Sequence, residues 1–241
     1  MTLLCLVQLA LLTAADPTVS ITWDPDMADD IKRGGYDVLI SKTLNEATGA
    51  VTRVVGVPLA APIEAKVYAS RAYERAFGAA SAGRWWAHYS QGKIHINGGL
   101  PINAAFKGLL VHELTHAVLD SQHHGGAFPV WLNEGLAEYL QREALGRTDI
   151  DAVQRVLLKD ALRKSEIGAL STLRQPLEAN AYLASFAAVS LLMEQFGRVK
   201  VLELYRSIAT GTKPEDAWKK LGADPDAFSK TFTKWVADYS G

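Results

Sequence analysis

The sequence predicts an α+β fold, with a small mixed sheet on the N-terminal side packed against a mainly helical C-terminal part. Three observations lead there. Short alternating runs rich in β-branched and aromatic residues concentrate before residue 100. Long runs with a helical period dominate after it. At the join stands "LLVHELTHAVLD", Leu109 to Asp120, an apolar, helix-compatible run. It carries two histidines four positions apart and a glutamate directly after the first.

The elements follow in order. "TVSITWD", Thr18 to Asp24, alternates as a strand does. Asp24-Pro25-Asp26 signals a turn and a helix start. Ala28 to Val55 then reads as a helix, with Ile31, Val38, Leu39, Leu44, Val51 and Val54 facing inward. Gly34-Gly35 weakens its first turns, because glycine loses most conformational freedom on ordering. Pro62 to Ser70 alternates Ile63, Ala65, Val67 and Ala69 as a second strand. "RWWAHYS" and "GKIHIN" flank Gln91-Gly92 and read as a hairpin. Trp85 and Trp86 before it suit sheet packing or the lining of a cleft. Helical patterns cover Asn103 to Leu119, Pro129 to Leu145, Glu178 to Phe196, Val199 to Ile208 and Asp226 to Tyr239. Pro214 and Pro225 fit helix starts, and Trp218, Phe228, Phe232 and Trp235 fit an inward face. No repeat, low-complexity run or long linker interrupts the chain. Residues 16–241 therefore read as a single domain, with 16–100 its α/β part and 101–241 its helical part.

The 241 residues are 49% hydrophobic and 21% charged, enough to bury a sizeable core. The net charge is −1, with no basic run and no interleaving of basic and aromatic residues, so nucleic acid is not an expected partner. The single cysteine, Cys5, excludes an internal disulfide and a Cys-rich zinc cluster. It lies in "MTLLCLVQLALLTAADP", where Leu3 to Leu12 is almost wholly apolar and Thr13, Ala14 and Ala15 follow. Residues 1–15 read as a signal peptide, which places the protein outside the cytoplasm, secreted or in the periplasm or cell envelope. No Lys or Arg precedes Lys32, so a buried N-terminal helix or strand is the other reading. Membrane contact would come only through this segment left uncleaved, since no other stretch approaches the length of a span. No oligomeric state is specified.

On a helix, residues four apart lie one turn above each other, so His112 and His116 project from one face and reach a single ion. Imidazole is a good zinc ligand. Glu113 is rotated by about 100° from His112. It is placed to take a proton from water, the arrangement of H-E-x-x-H. A catalytic zinc usually has three protein ligands and an open position. "FPVWLNEGLAEYL", Phe128 to Leu140, offers Glu134, eighteen positions after His116. The connector "DSQHHGGAFP" suits a reversal, which would bring a returning helix beneath the histidine pair. Glu138, one turn on, is placed to hydrogen-bond the far nitrogen of a ligand histidine. His123 and His124 in the connector are rival third ligands, held less rigidly beside glycines. The plain alternative is a helix whose histidines bind nothing.

These residues resemble the gluzincin metallopeptidases of the peptidase MA clan. "HELTH" followed by "WLNEGLAEY" is similar to the second metal motif of the M1 aminopeptidase-like enzymes, W-x-N-E-G-x-A, and the likeness is stronger for bacterial peptidase MA-like domains of modest size. It covers Thr18 to Phe196. The resemblance implies a zincin-like fold and one Zn²⁺ per chain on His112, His116 and Glu134. It also implies Glu113 as general base and a peptide or protein substrate. "AYLASFAAVSLLMEQFG", Ala181 to Gly197, resembles the segment whose leading tyrosine stabilises the oxyanion, which makes Tyr182 the matching residue. Read plainly, Tyr182 is a packing aromatic at a helix start. Glu138 stands where the thermolysin-like branch has its histidine-orienting carboxylate.

One departure matters. The aminopeptidases carry an amine-binding glutamate on the strand before the zinc helix, and "GKIHINGG", Gly92 to Gly99, has no acidic residue. Endopeptidase action, or an unusual substrate, is therefore expected over aminopeptidase action. As an edge, this strand would pair with an extended peptide through its backbone. His95 alternates with Ile94 and Ile96, facing either the cleft or, as the preferred reading, solvent. A metal-retaining but weakly active or inactive envelope binding or assembly module is the alternative function. A metal-free structural domain is the third.

Overall fold

The computed structural model describes residues 19–27, 35–79, 86–121, 128–175 and 177–239. The sequence readings at Cys5, Ile31, Gly34, Trp85, His123 and His124, and the signal peptide, lie outside these residues. Along the chain run β1 (Val19–Trp23), α1 (Tyr36–Val55), β2 (Ile63–Tyr68), α2 (Ser70–Phe77), β3 (Ala87–Ser90), β4 (Lys93–Asn97), α3 (Ala104–Asp120) and α4 (Val130–Ala144). Then come α5 (Ala152–Arg163), a 3₁₀ turn (Leu170–Thr172), α6 (Ala179–Phe196), α7 (Arg198–Ala209), α8 (Pro214–Leu221) and α9 (Pro225–Ala237).

The sheet is mixed, in the order β1-β2-β4-β3. The first three strands are parallel, and β3 closes the sheet antiparallel to β4. β4 is therefore an interior strand. The expectation that "GKIHINGG" is an edge fails because β2 pairs along β4, Glu64 opposite Lys93 through Tyr68 opposite Asn97. The edge next to the histidine helix is β3. Asn97 N–H donates to the Trp86 carbonyl at 2.9 Å, which makes Trp86 and Asn97 a hydrogen-bonded pair. Such pairs alternate, so Ala87 and Tyr89 turn their backbone groups to the outer edge.

One face of the sheet supplies Ile63, Ala65, Val67, Ala87, Ile94 and Ile96 to the main core. α3 lies on this face through Phe106, Leu110 and Leu114. The Asn103 side chain caps α3, accepting from Phe106 N–H at 2.9 Å. Trp86 is half-buried, with its ring 6.2 Å from that of Phe106, so it packs sheet on helix. α1 buries Ile40, Leu44, Val51 and Val55, while Val38 and Leu39 are 69% and 45% exposed. The inward stripe starts at Ile40 and runs at helical spacing, which turns its two predecessors by about 100° and 200° away from the core.

The opposite face is covered by α2, which sequence periodicity does not reveal. Tyr73 and Phe77 of α2 meet Tyr68, His88 and His95 of the sheet. His95 is thereby buried, not solvent-facing, and its Nδ1 lies 2.9 Å from the Tyr68 hydroxyl. His88 and His95 stack with ring centres 5.0 Å apart, and His88 Nδ1 is 2.6 Å from the Tyr73 hydroxyl.

α4 and α6 approach closely at Gly135. A Cβ there would run into the Ser185 carbonyl oxygen and Val189 Cγ2. The helices on the far side fill the remaining core. Tyr205 of α7 donates to the Leu132 carbonyl at 2.7 Å. Trp131, Trp218 and Phe228 form an aromatic group.

Two outcomes follow. Gly135→Ala should destabilise the chain by about 1–3 kcal/mol or more through overpacking against backbone, read from urea unfolding. Burial, reinforced by His95, lowers the His88 pKa to about 4, below the 6.5 of an ordinary histidine. The unfolded chain therefore takes up this proton first. The associated stability is full above about 6.5 and drains away as the pH falls toward about 4. His88→Phe should lower the unfolding midpoint but flatten its decline between about pH 7 and pH 5. Parallel decline of both proteins would assign the acid sensitivity elsewhere.

Candidate metal centre

α3 presents His112 and His116 from successive turns, with ring centres 4.8 Å apart. α4 returns beside it and brings in Glu134. Glu134 Oε2 lies 3.4 Å from His112 Nε2 and 3.4 Å from His116 Nε2. The candidate ligand atoms of the three residues all fall within 4.8 Å of one another. Four donors at about 2.0–2.1 Å from a tetrahedral zinc lie roughly 3.3–3.4 Å from each other. The two carboxylate-to-imidazole distances match that edge.

The group is buried. The side chains of His112, His116 and Glu134 are 7%, 11% and 8% exposed. Glu134 Oε2 and His112 Nδ1 are buried without a hydrogen-bond partner. A buried carboxylate oxygen left unpaired between two imidazole nitrogens is costly. A cation shared by the three would satisfy it, so these residues fit a metal ion.

Further groups fix the donors. His116 Nδ1 lies 3.1 Å from Asn133 Oδ1. His112 Nδ1 lies 3.6 Å from Glu138 Oε1, outside hydrogen-bond reach but close enough to act by charge. The other oxygen of Glu138 accepts from Arg142 Nε at 3.2 Å. Gln175 Nε2 donates to Glu134 Oε1 at 2.5 Å. Asn133 and Gln175 are absent from the sequence reading. Asn133 directly precedes Glu134, and that adjacency was its available signal. Gln175 stands in a loop 41 positions from its partner, where no pattern marks it.

Burial acts to lower the His112 pKa, but Glu134, Glu113 and Glu138 outweigh it and raise the value to about 9. Burial acts to raise Glu134, and the two histidines overcome it, holding the carboxyl well below its ordinary range. Glu113 is 7% exposed, and burial raises its pKa despite the neighbouring histidines. Glu113 Oε2 accepts from Tyr89 N–H at 2.7 Å. The base candidate thus sits at the outer edge of β3. The Tyr89 hydroxyl donates to Asp120 Oδ2 at 2.6 Å, farther down α3.

The other predicted residues divide. Tyr182 is half-buried in the first turn of α6, the helix packed on α4. His95 lies on the sheet face away from α3, under α2, so it lines no cleft at the metal centre.

The family model for the Peptidase MA superfamily matches residues 44–238. The chain belongs to the Peptidase MA superfamily. The match runs from within α1 to the end of α9, so it takes in the helices after Phe196 that the motif resemblance left out. No curated protein matches the chain. Membership of the Peptidase MA superfamily suggests a metallopeptidase acting on peptides or proteins, and the buried His112, His116 and Glu134 group is compatible with the metal dependence typical of that clan.

Glu134→Ala should reduce metal content, measured by atomic emission, from about one ion per chain to a small fraction, since two histidines alone hold zinc poorly. Content unchanged at one per chain would move the third ligand to the His123–His124 segment.

Proposed function

We propose that this Peptidase MA member is a zinc-dependent endopeptidase of the gluzincin type. His112, His116 and Glu134 would hold the ion, and Glu113 would serve as the general base. A zinc ion in such a site lowers the pKa of bound water toward about 7 and polarises a carbonyl.

One observation carries the reading. Glu113 lies at the outer edge of β3, bonded to Tyr89 N–H, and on the helix that bears both histidines. An extended peptide pairing with β3 through the backbone groups of Ala87 and the Tyr89 carbonyl would run past that carboxylate. Glu113 would take a proton from the attacking water and deliver it to the leaving amine. Its burial favours this role, because a raised pKa brings a carboxylate closer to the range in which it can both accept and return a proton. Tyr182, at the start of α6, would donate its hydroxyl to the developing oxyanion. Glu138 and Asn133 would keep the two imidazoles in orientation.

The preference for internal bonds is supported by the edge itself. Neither β3, "AHYS", nor β4, "KIHIN", carries a carboxylate to hold a substrate's terminal amine. With residues 1–15 read as a signal peptide, the substrates would be extracytoplasmic proteins or peptides.

Glu113→Gln should retain zinc and lose hydrolysis of a quenched-peptide library by about 10²–10⁴-fold. Hydrolysis at the wild-type rate by this variant would remove Glu113 from the mechanism. A wild-type chain that holds zinc and cleaves nothing would favour a binding or assembly module.

A further inference from the structure

The two oxygens of Glu134 have different surroundings. Oε2 is buried, has no hydrogen-bond partner and faces both histidine Nε2 atoms. Oε1 is taken by Gln175 Nε2. The orientation of the Gln175 amide is fixed from its other end, where Gln175 Oε1 accepts from Leu177 N–H at 3.3 Å. With the oxygen committed to a donor, the nitrogen must face Glu134. The backbone on both sides is anchored, since Leu173 and Leu177 are buried. Upstream, Leu170 N–H donates to Ser229 Oγ of α9 at 3.1 Å. An exposed glutamine is thus held in place by buried neighbours.

We propose that Gln175 is a positioning residue of the metal centre. It presents Glu134 as a one-oxygen ligand through Oε2 and so keeps a coordination position open. This rests on reading His112, His116 and Glu134 as a zinc site. A carboxylate binds a divalent ion through one oxygen or through both. The second oxygen, once drawn in, fills a position that water or a substrate carbonyl needs. A donor held on Oε1 competes with the metal for that oxygen. Gln175 is suited to this task because its amide is neutral. It leaves the charge of Glu134 for the ion, where a lysine or arginine would neutralise it.

The test uses Gln175→Met, which keeps the length and removes both amide contacts, and Gln175→Ala as a second variant. Zinc affinity is measured by competition with a chromogenic chelator, and coordination by the visible spectrum of the cobalt-loaded protein. Circular dichroism and the unfolding midpoint of the metal-free chains check the fold, which an exposed residue should leave intact. The expected result is a loss of about 10–100-fold in zinc affinity, because a Glu134 no longer held in place must be ordered by the ion, at a cost greater than the second oxygen returns. The cobalt band should also weaken, as Glu134 swings both oxygens onto the ion and four-coordination becomes five. Wild-type affinity together with a wild-type cobalt spectrum in both variants would overturn the role of Gln175 and leave the metal site standing. A wild-type protein that takes up neither ion would overturn the site and this inference together.

Discussion

Three carboxylates, Glu113, Glu134 and Glu138, converge on two imidazoles in a largely buried space, and that charge must be balanced. Oxygen and nitrogen donors this close together, withdrawn from water, repel unless something positive lies among them. Against the cost of burial, the three carboxylates raise the His112 pKa to about 9. Arg142 contributes from outside through Glu138. A divalent ion would balance the charge better, because it could meet both imidazole Nε2 atoms and the unpaired Glu134 oxygen at once. As a chelate the proposed site would be favourable where the bare protein is not, which would link folding to metal uptake.

The rest of the molecule holds that unfavourable cluster together. α3 packs on the sheet and α4 packs on α3, but α4 is set at its correct depth from behind. Gly135, next to Glu134, lets the α6 backbone come into contact where any side chain would push α4 away. Tyr205 reaches the Leu132 carbonyl from α7, two positions before Glu134. Through these contacts α6 and α7 help to fix the distance from Glu134 to the histidines. That matters because a metal donor is useful only within a few tenths of an ångström.

Much of the site was legible because its information is local. His112, Glu113 and His116 lie within one and a half turns, and helical geometry alone puts both imidazoles on one face. Glu134 needed only one reversal of the chain. The fold was legible for the same reason wherever a period ran long enough. α5 could have been read as well, since Asp151 and Gln154 form a capping box before "AVQRVLLKDALR". The rest depends on partners distant in sequence. A hairpin looks the same whether or not a third strand pairs outside it, so only the β2–β4 pairing reveals that β4 is interior and β3 the edge. His95 alternates like an exposed residue, and its burial is decided by α2, whose eight residues bury only Ala72 and Tyr73. Gln175 acts through one contact across the fold, and no composition or spacing announces it.

The Tyr89 bridge has a mechanical consequence. One residue grips α3 twice, at Glu113 through its amide and at Asp120 through its hydroxyl. Those two points lie roughly 10 Å apart along the helix axis. A strand pinned at both points cannot pivot on the helix, so the wall that would receive a peptide and the floor that bears the histidines travel as one body.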